Sequence, residues 1–164
     1  FVTIATDDYY AQGALVTLHS IALHLGSSES TPMADRVLMV PEPGISRGWR
    51  QRFLDLGVRI VDVPEVIPSR AIRAAMEADR TQLAQKGLLD VLQPVPYGGA
   101  FAKVHAWDPD IFGAYAKVVL LDGDVLIKRN IEGLLDLDPL AAGRDLMDAF
   151  NYGVLVLKPD AETH

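Results

Sequence analysis

The sequence predicts an α/β domain in which helices flank a mainly parallel sheet. Between Phe1 and Val63, short β-prone apolar runs alternate with stretches of helical apolar spacing, and this βαβαβ order favours parallel strands joined by right-handed crossovers. A later run, Lys117 to Ile127, has the Val, Leu and Ile content of a strand that is covered on both faces. At 164 residues and 49 % hydrophobic composition, the chain can bury the core of a single domain.

The first part of the chain is predicted to hold three strands and two helices. Asp7 and Asp8 form a turn and helix-capping pair after the first strand. Ser46 is expected to cap the second helix, which stops at Gly57. The predicted strands are residues 1–6, 36–40 and 58–63, and the predicted helices are residues 9–25 and 46–56.

The remaining elements have a less regular pattern. Residues 69–85 are rich in Ala, Arg and Glu and predict a polar helix or a mobile segment, to which we assign no chemistry. Turn residues predict a loop at residues 93–99. The other predicted elements are a helix at 100–107, a short amphipathic piece that reaches Tyr115, a strand at 117–127, a short capped helix at 130–135 and a last strand at 150–159.

Composition excludes several classes of protein. The net charge of −7 argues against non-specific nucleic-acid binding, which needs a basic surface. No apolar run approaches the roughly 20 residues that span a bilayer, and no signal peptide opens the chain, so we expect no membrane span and a cytoplasmic location. The absence of cysteine excludes disulfides and thiolate metal sites. A phosphorylated substrate would need a local cation or a metal to overcome the negative charge.

Two carboxylates, Asp122 and Asp124, flank Gly123 inside the apolar run. If the strand continued through them, both side chains would point to the same face. Two carboxylates so near each other repel, and the simplest partner that relieves the repulsion is a divalent cation. Gly123 has no side chain, which would let a ligand approach the backbone. A surface turn rich in Asp and Gly is the alternative interpretation.

The predicted topology places this acidic motif near a second polar segment. Ligands of open α/β sheets bind outside the carboxyl ends of the strands, where Thr6, Asp7 and Asp8 follow the first strand. We therefore expect these residues and the acidic motif to line one crevice. The sequence has neither a GxGxxG pattern nor a P-loop pattern, so phosphate would be held by a metal and by side chains.

Four segments carry a pattern that extends over the whole chain. They are residues 1–16 (FVTIATDDYYAQGALV), the helix Ala102-Lys103-Val104-His105-Ala106-Trp107, the strand with its acidic motif at 118–130, and Phe150-Asn151-Tyr152-Gly153-Val154. In this order they resemble the motifs of the glycogenin-like and galactinol-synthase-like retaining glycosyltransferases of family 8. A lone Asp-x-Asp motif is weak evidence for this family, whereas four of its motifs in the same order are strong evidence.

The resemblance implies a GT-A fold, which is a Rossmann-like, mainly parallel sheet flanked by helices, and metal-dependent sugar transfer. The donor would be a nucleotide-diphosphate sugar such as a UDP-hexose, with Mn²⁺ or Mg²⁺ as cofactor. The acceptor hydroxyl would belong to a carbohydrate, a polyol or a protein, and a homodimer stays open. The implied site residues are Ile4, Thr6, Asp7, Tyr10, Asp122, Gly123 and Gly153 for the nucleotide sugar, Asp122 and Asp124 for the metal, and Lys103 and Asn151 for catalysis.

This sequence also differs from the pattern of the family that it resembles. Its members continue past residue 164 with a Gly-Gly-Asp-Gln-like segment and a His-x-x-Gly-x-x-Lys-Pro-Trp segment, which supplies a third metal ligand. We therefore expect residues 1–164 to be one GT-A nucleotide-sugar-binding domain that lacks the C-terminal part of the catalytic domain. We also expect weak nucleotide binding with little or no turnover. His164 is not that ligand, and Tyr152 replaces a small residue beside the donor sugar.

Other interpretations of the same residues stay open. Tyr10 could be a core aromatic residue, Lys103 a solvated helix lysine and Asn151 a turn residue, while His105 is expected to pack rather than to bind metal. At the level of function, one alternative is a non-catalytic nucleotide-sugar-binding fragment or pseudoenzyme. The other is a haloacid-dehalogenase-type phosphatase, whose first motif is also an apolar strand ending in Asp-x-Asp. In that class the strand normally comes first, whereas three strands precede it here.

Overall fold

The computed structural model describes residues 1–25, 34–85, 101–144 and 150–163. Within these ranges six strands form a single sheet. They are β1 (Val2–Ile4), β2 (Val37–Pro41), β3 (Arg59–Val63), β4 (Val118–Leu121), β5 (Ala141–Arg144) and β6 (Phe150–Leu157). Their order across the sheet is β3-β2-β1-β4-β6-β5.

The pairing directions confirm a mainly parallel sheet. β1 pairs in parallel with β2 and β4, and β2 pairs in parallel with β3. β6 runs antiparallel to both of its neighbours, β4 and β5. The chain builds outward from β1 to β3 and then returns to place β4 on the other side of β1. The strand order therefore reverses between β1 and β4.

Helices flank this sheet. They are α1 (Asp8–His24), α2 (Arg47–Asp55), α3 (Arg70–Gln85) and α4 (Pro109–Phe112), with 3₁₀ helices at Ala102–Trp107 and Glu132–Asp136. The Asp7 carboxylate caps α1, because its Oδ1 accepts hydrogen bonds from the backbone N–H groups of Tyr9 and Tyr10 at 2.9 and 3.0 Å. α2 ends before Gly57, whose φ of 69° lies in the left-handed region. None of the helices that the structure describes is long and apolar enough to cross a bilayer.

The core consists of two layers, one on each face of the sheet. On one face, Leu18 of α1 and Phe53 of α2 belong to a buried cluster with Val119. On the other face, Phe112 of α4 belongs to a second buried cluster with Leu120. Because β4 is covered from both sides, all four of its residues are buried, which explains its continuous apolar sequence.

Several elements differ in detail from those predicted. The strand predicted at 117–127 ends at Leu121, because Asp and Gly have low β-propensity, so the acidic motif lies in the following turn. The helices predicted at 100–107 and 130–135 are represented by the shorter 3₁₀ helices Ala102–Trp107 and Glu132–Asp136. Of the two alternatives predicted for residues 69–85, a polar helix or a mobile segment, the structure has the helix, α3 (Arg70–Gln85). β5 was not predicted, and the loop predicted at 93–99 lies outside the described residues.

Candidate functional site

The acidic motif and the loop after β1 meet at one edge of the sheet. β1 and β4 are parallel neighbours at the reversal of strand order, so their carboxyl ends form the edge at which α/β proteins bind ligands. The approach is close, because a Cβ built on Gly123 would lie 3.4 Å from the carbonyl oxygen of Ile4 and 3.4 Å from the backbone nitrogen of Ala14. The two segments predicted to share a crevice are therefore adjacent.

Lys103 reaches this edge from the 3₁₀ helix on the second face of the sheet. Its Nζ lies 2.6 Å from Asp122 Oδ1 and donates a hydrogen bond of 3.1 Å to the carbonyl oxygen of Tyr152. The two charged side chains are 23 % and 37 % exposed, so a ligand can reach both. Lys103 is thus not a solvated helix lysine, and it places a positive charge directly at the acidic motif.

Asn151 and Gly153 approach the same carboxylate from β6. Gly153 accepts a hydrogen bond of 2.9 Å from the backbone N–H of Asp122, and its own N–H donates to Asn151 Oδ1 at 2.7 Å. A Cβ at Gly153 would lie 2.8 Å from Asn151 Oδ1 and 3.3 Å from Asp122 Oδ2. A side chain here would displace the Asn151 amide and press on the Asp122 carboxylate, so glycine lets both groups keep these positions. An irregular register between β5 and β6 at this point is typical of strands beside functional sites.

The residues expected to hold the base and ribose lie around the start of α1. Tyr10 is 38 % exposed and packs edge-to-face on Tyr9, which is 77 % exposed, so Tyr10 is not a core aromatic residue. Thr6 Oγ1 is buried and has no hydrogen-bond partner among the described residues. Asp7 caps α1 through Oδ1, a structural role that the sequence also predicts, and Ile4 is half-buried.

The two acidic side chains differ in their surroundings. Asp122 is half-buried and paired with Lys103, whereas Asp124 is exposed. Their carboxylate oxygens are the hard ligands that Mn²⁺ and Mg²⁺ prefer. In the described ranges, no group of three His, Asp or Glu side chains is placed to hold a metal ion. If Asp122 and Asp124 hold such an ion, water and substrate oxygens would have to complete its shell, as is common for Mg²⁺.

Two hydroxyl residues behind the acidic motif were not predicted as part of the site. Thr17 and Ser20, both buried on α1, form hydrogen bonds with the backbone of residues 123–127. The sequence gives one weak signal for them, since small polar residues stand on a helix face that is otherwise apolar. Their partners are backbone groups over 100 residues away along the chain, and the sequence pattern gives no indication of such contacts.

His105 has the packing role that the sequence predicts. The side chain is buried, and its Nε2 donates a hydrogen bond of 3.0 Å to the carbonyl oxygen of Pro64. This contact connects the 3₁₀ helix to the segment that follows β3. His164, the other histidine considered as a ligand, lies outside the described residues.

A cavity of about 310 Å³ lies at the opposite edge of the sheet. Its lining includes Val2, Val37 and Val118, which are the first residues of three parallel strands. The carboxyl ends that carry the acidic motif are at the other end of the same strands. This cavity is therefore separate from the candidate site.

The family model and the related sequences that match this chain point to the same family. The family model for glycosyl transferase family 8 matches residues 1–145. Human glycogenin-1 is 30 % identical over 166 aligned positions, which cover 100 % of this chain and 40 % of the relative. Glycogenin-1 of Oryctolagus cuniculus is 31 % identical over 166 positions, covering 100 % of this chain and 42 % of the relative. The chain thus spans less than half the length of these curated relatives.

A solved structure shows the same fold. The apo structure of the WbbM bifunctional glycosyltransferase superposes with a TM-score of 0.60 at 17 % sequence identity, over 97 % of this chain and 31 % of that chain. At this identity the likeness concerns the fold, and it confirms the predicted GT-A-like α/β architecture. Together with the match over residues 1–145, these findings show that the chain belongs to glycosyl transferase family 8.

Proposed function

We propose that this chain carries the nucleotide-sugar site of a retaining glycosyltransferase, which transfers a hexose from a UDP-hexose to an acceptor hydroxyl. The observation that carries the proposal is the cluster of Lys103, Asp122, Asn151 and Gly153 at the carboxyl ends of β4 and β1. A cation, an acidic group and a side-chain amide meet there beside a glycine. Such an arrangement can bind a charged diphosphate and donate hydrogen bonds to a sugar.

Asp122 and Asp124 would hold the divalent metal. When bound, Mn²⁺ or Mg²⁺ would supply Lewis-acid stabilisation of the diphosphate leaving group. With two protein carboxylates, the site depends on substrate oxygens to complete the coordination. Metal and nucleotide binding should therefore be coupled.

Lys103 would provide the protein's own positive charge at the reacting end of the donor. Its ammonium now neutralises Asp122 at 2.6 Å, and it has three donors that can be redistributed when a diphosphate arrives. Negative charge grows on the leaving phosphate as the sugar–phosphate bond breaks, and a fixed ammonium stabilises that charge most in the transition state. Asn151 would orient the sugar, and its amide is itself positioned by Gly153.

The start of α1 would hold the nucleoside. The partly exposed Tyr10 ring offers a face or an edge to the base, since aromatic stacking is favourable for any base. The buried Thr6 hydroxyl has a donor and an acceptor that a ribose or base could satisfy. Asp7 uses Oδ1 for the helix cap, and its second oxygen could accept from a ribose hydroxyl.

Metal-dependent nucleotide binding tests the proposal. The chain is titrated with UDP in Mn²⁺ and again in chelator, for wild type and for the Asp122→Asn, Asp124→Asn double variant. We expect tighter binding in Mn²⁺ for wild type only, because the variant loses the charges that hold the ion. Asp138→Asn, an exposed aspartate elsewhere, removes one charge as a control and should leave binding unchanged. Equal wild-type affinity with and without Mn²⁺ would overturn the proposal.

A non-catalytic nucleotide-sugar-binding module is the second candidate. Among the described residues, no third His, Asp or Glu side chain joins Asp122 and Asp124 in a group that could hold a metal ion. Slow release of free hexose from UDP-hexose in Mn²⁺ would favour the transferase, whereas binding without any turnover would favour the module. The phosphatase alternative loses its support, since the family match covers the acidic motif.

A further inference from the structure

One face of α1 lies directly behind the acidic turn. Thr17 Oγ1 lies 3.1 Å from the carbonyl oxygen of Gly123 and 2.7 Å from that of Val125. One turn further along, Ser20 Oγ accepts a hydrogen bond of 3.1 Å from the backbone N–H of Ile127. Residues three and four apart share a helix face, so a single face of α1 contacts the chain from 123 to 127.

Gly13 brings the helix and the turn into backbone contact. A Cβ at this position would overlap the carbonyl oxygen of Gly123, at a separation that real Cβ atoms do not adopt. From the other side, a Cβ on Gly123 would lie 3.4 Å from the backbone nitrogen of Ala14. Gly13 therefore lets α1 approach the acidic motif more closely than a side chain at that position would permit, and Gly123 lies in contact with the same helix.

The hydroxyl of Thr17 satisfies groups that the sheet leaves unpaired. β4 ends at Leu121, so Gly123 and Val125 lie beyond the strand, and the sheet supplies no partners for their carbonyl groups. Thr17 is fully buried, and a buried hydroxyl is costly unless it forms hydrogen bonds. Its single O–H is shared between two carbonyl oxygens, of which that of Val125 is the nearer, and these belong to the residues on either side of Asp124. A change at Thr17 would therefore act first on the orientation of that carboxylate.

We propose that Thr17 is a positioning residue for the acidic motif, and that Gly13 provides the close approach on which this role depends. Through its hydrogen bond to the carbonyl oxygen of Val125, shared with that of Gly123, Thr17 holds the turn in one conformation and so keeps Asp122 and Asp124 prepared for a metal–diphosphate ligand. This inference rests on the proposed function. It assigns a role in binding to a residue that touches neither metal nor substrate.

The test compares Thr17→Val with a rescue and a matched control. In Mn²⁺, Thr17→Val should bind UDP about ten-fold more weakly than wild type, as expected for the loss of a buried hydrogen bond, with little change in chelator. Thr17→Ser keeps the hydroxyl and should restore most of the affinity. Thr3→Val removes another fully buried hydroxyl that has no partner among the described residues, and it should leave UDP affinity unchanged.

A second variant and a stability measurement separate positioning from simple stabilisation. Gly13→Ala raises helix propensity but must displace the turn, so its UDP affinity in Mn²⁺ should fall as for Thr17→Val. Wild-type UDP affinity in Thr17→Val, together with a lower melting temperature, would show a structural role only and overturn the inference. Failure of the proposed function can be distinguished from failure of this inference, because the wild type itself would then bind UDP without Mn²⁺ dependence.

Discussion

At the residue scale, the pair formed by Lys103 and Asp122 is the centre of the proposed site. The two charges lie 2.6 Å apart and remain partly exposed, so the pair contributes little to folding, at most about 1 kcal/mol. Its position at the end of β4, beside Gly153, suits ligand binding better than fold stabilisation. Lys103 also donates to the carbonyl oxygen of Tyr152, which fixes the ammonium at the site.

Replacement of this lysine should separate binding from stability. We expect Lys103→Ala to weaken UDP binding in Mn²⁺ by about ten-fold, since a charge-assisted contact to the diphosphate is worth roughly 1.5 kcal/mol or more. The free energy of unfolding should change by less than about 1 kcal/mol, because the ion pair is partly exposed. Calorimetric titration and urea unfolding measure the two quantities.

The matched control is Lys158→Ala, which removes an exposed lysine that follows β6 and should leave UDP binding unchanged. A Lys103→Ala protein that binds UDP normally would remove Lys103 from the site.

At the element scale, the sequence predicts most helices and strands, because apolar periodicity follows the covered faces of the sheet. The predicted parallel order also places the carboxyl ends of β1 and β4 at the same edge of the sheet. For this reason the acidic motif and the loop after β1 could be predicted to lie together. Contacts between distant backbone groups cannot be predicted in this way. The bond from Asp122 N–H to Gly153 and the support of the turn by Thr17 depend on how closely the elements pack.

Element type was harder to predict where propensity is weak. β5 has the sequence Ala-Ala-Gly-Arg, which contains no β-branched or aromatic residue, and it is held by pairing with β6. The 3₁₀ helix that carries Lys103 has the same apolar spacing as an α-helix over six residues, so the two cannot be distinguished from sequence. The side chain nevertheless reaches the predicted site.

A hydrogen-bond chain away from the site connects β3 to the segments that precede β2 and β4, and it gives the fold a pH dependence. Arg59 of β3 donates to Tyr115 Oη at 3.1 Å, and Tyr115 Oη donates to Asp35 Oδ2 at 2.5 Å. Burial, and then the bond to Asp35, raise the pKa of Tyr115 above its ordinary value. The neutral phenol is thus favoured in the folded state. This contribution to stability is complete below pH of about 10 and is lost as the pH rises through the folded-state pKa.

Tyr115→Phe tests this pH dependence. Between pH 8 and pH 11 the wild type should lose more free energy of unfolding than the variant, because only the wild type has the phenol whose pKa is raised. Urea unfolding at several pH values in this range gives the comparison. Since Tyr115 lies at the amino edge of the sheet, UDP binding at pH 8 should be unaffected. Parallel pH profiles for the two proteins would contradict the expected role of the phenol.

At the scale of the whole molecule, a negatively charged domain is proposed to bind a negatively charged donor. The net charge of −7 opposes approach of a nucleotide diphosphate. Lys103 beside the acidic motif indicates how this repulsion would be overcome, because the lysine and the proposed metal ion would concentrate positive charge at one edge of the sheet. The family match covers the motif, and the fold positions it at the reversal of strand order.

A crystal structure of this chain with UDP and Mn²⁺ tests the central claim most directly. We predict an anomalous manganese peak between the carboxylates of Asp122 and Asp124 and the diphosphate, with the base beside Tyr10. We also predict that Lys103 Nζ turns from Asp122 toward a phosphate oxygen. UDP bound elsewhere, for example in the cavity at the amino edge of the sheet, or a manganese peak that does not involve Asp122, would contradict the account.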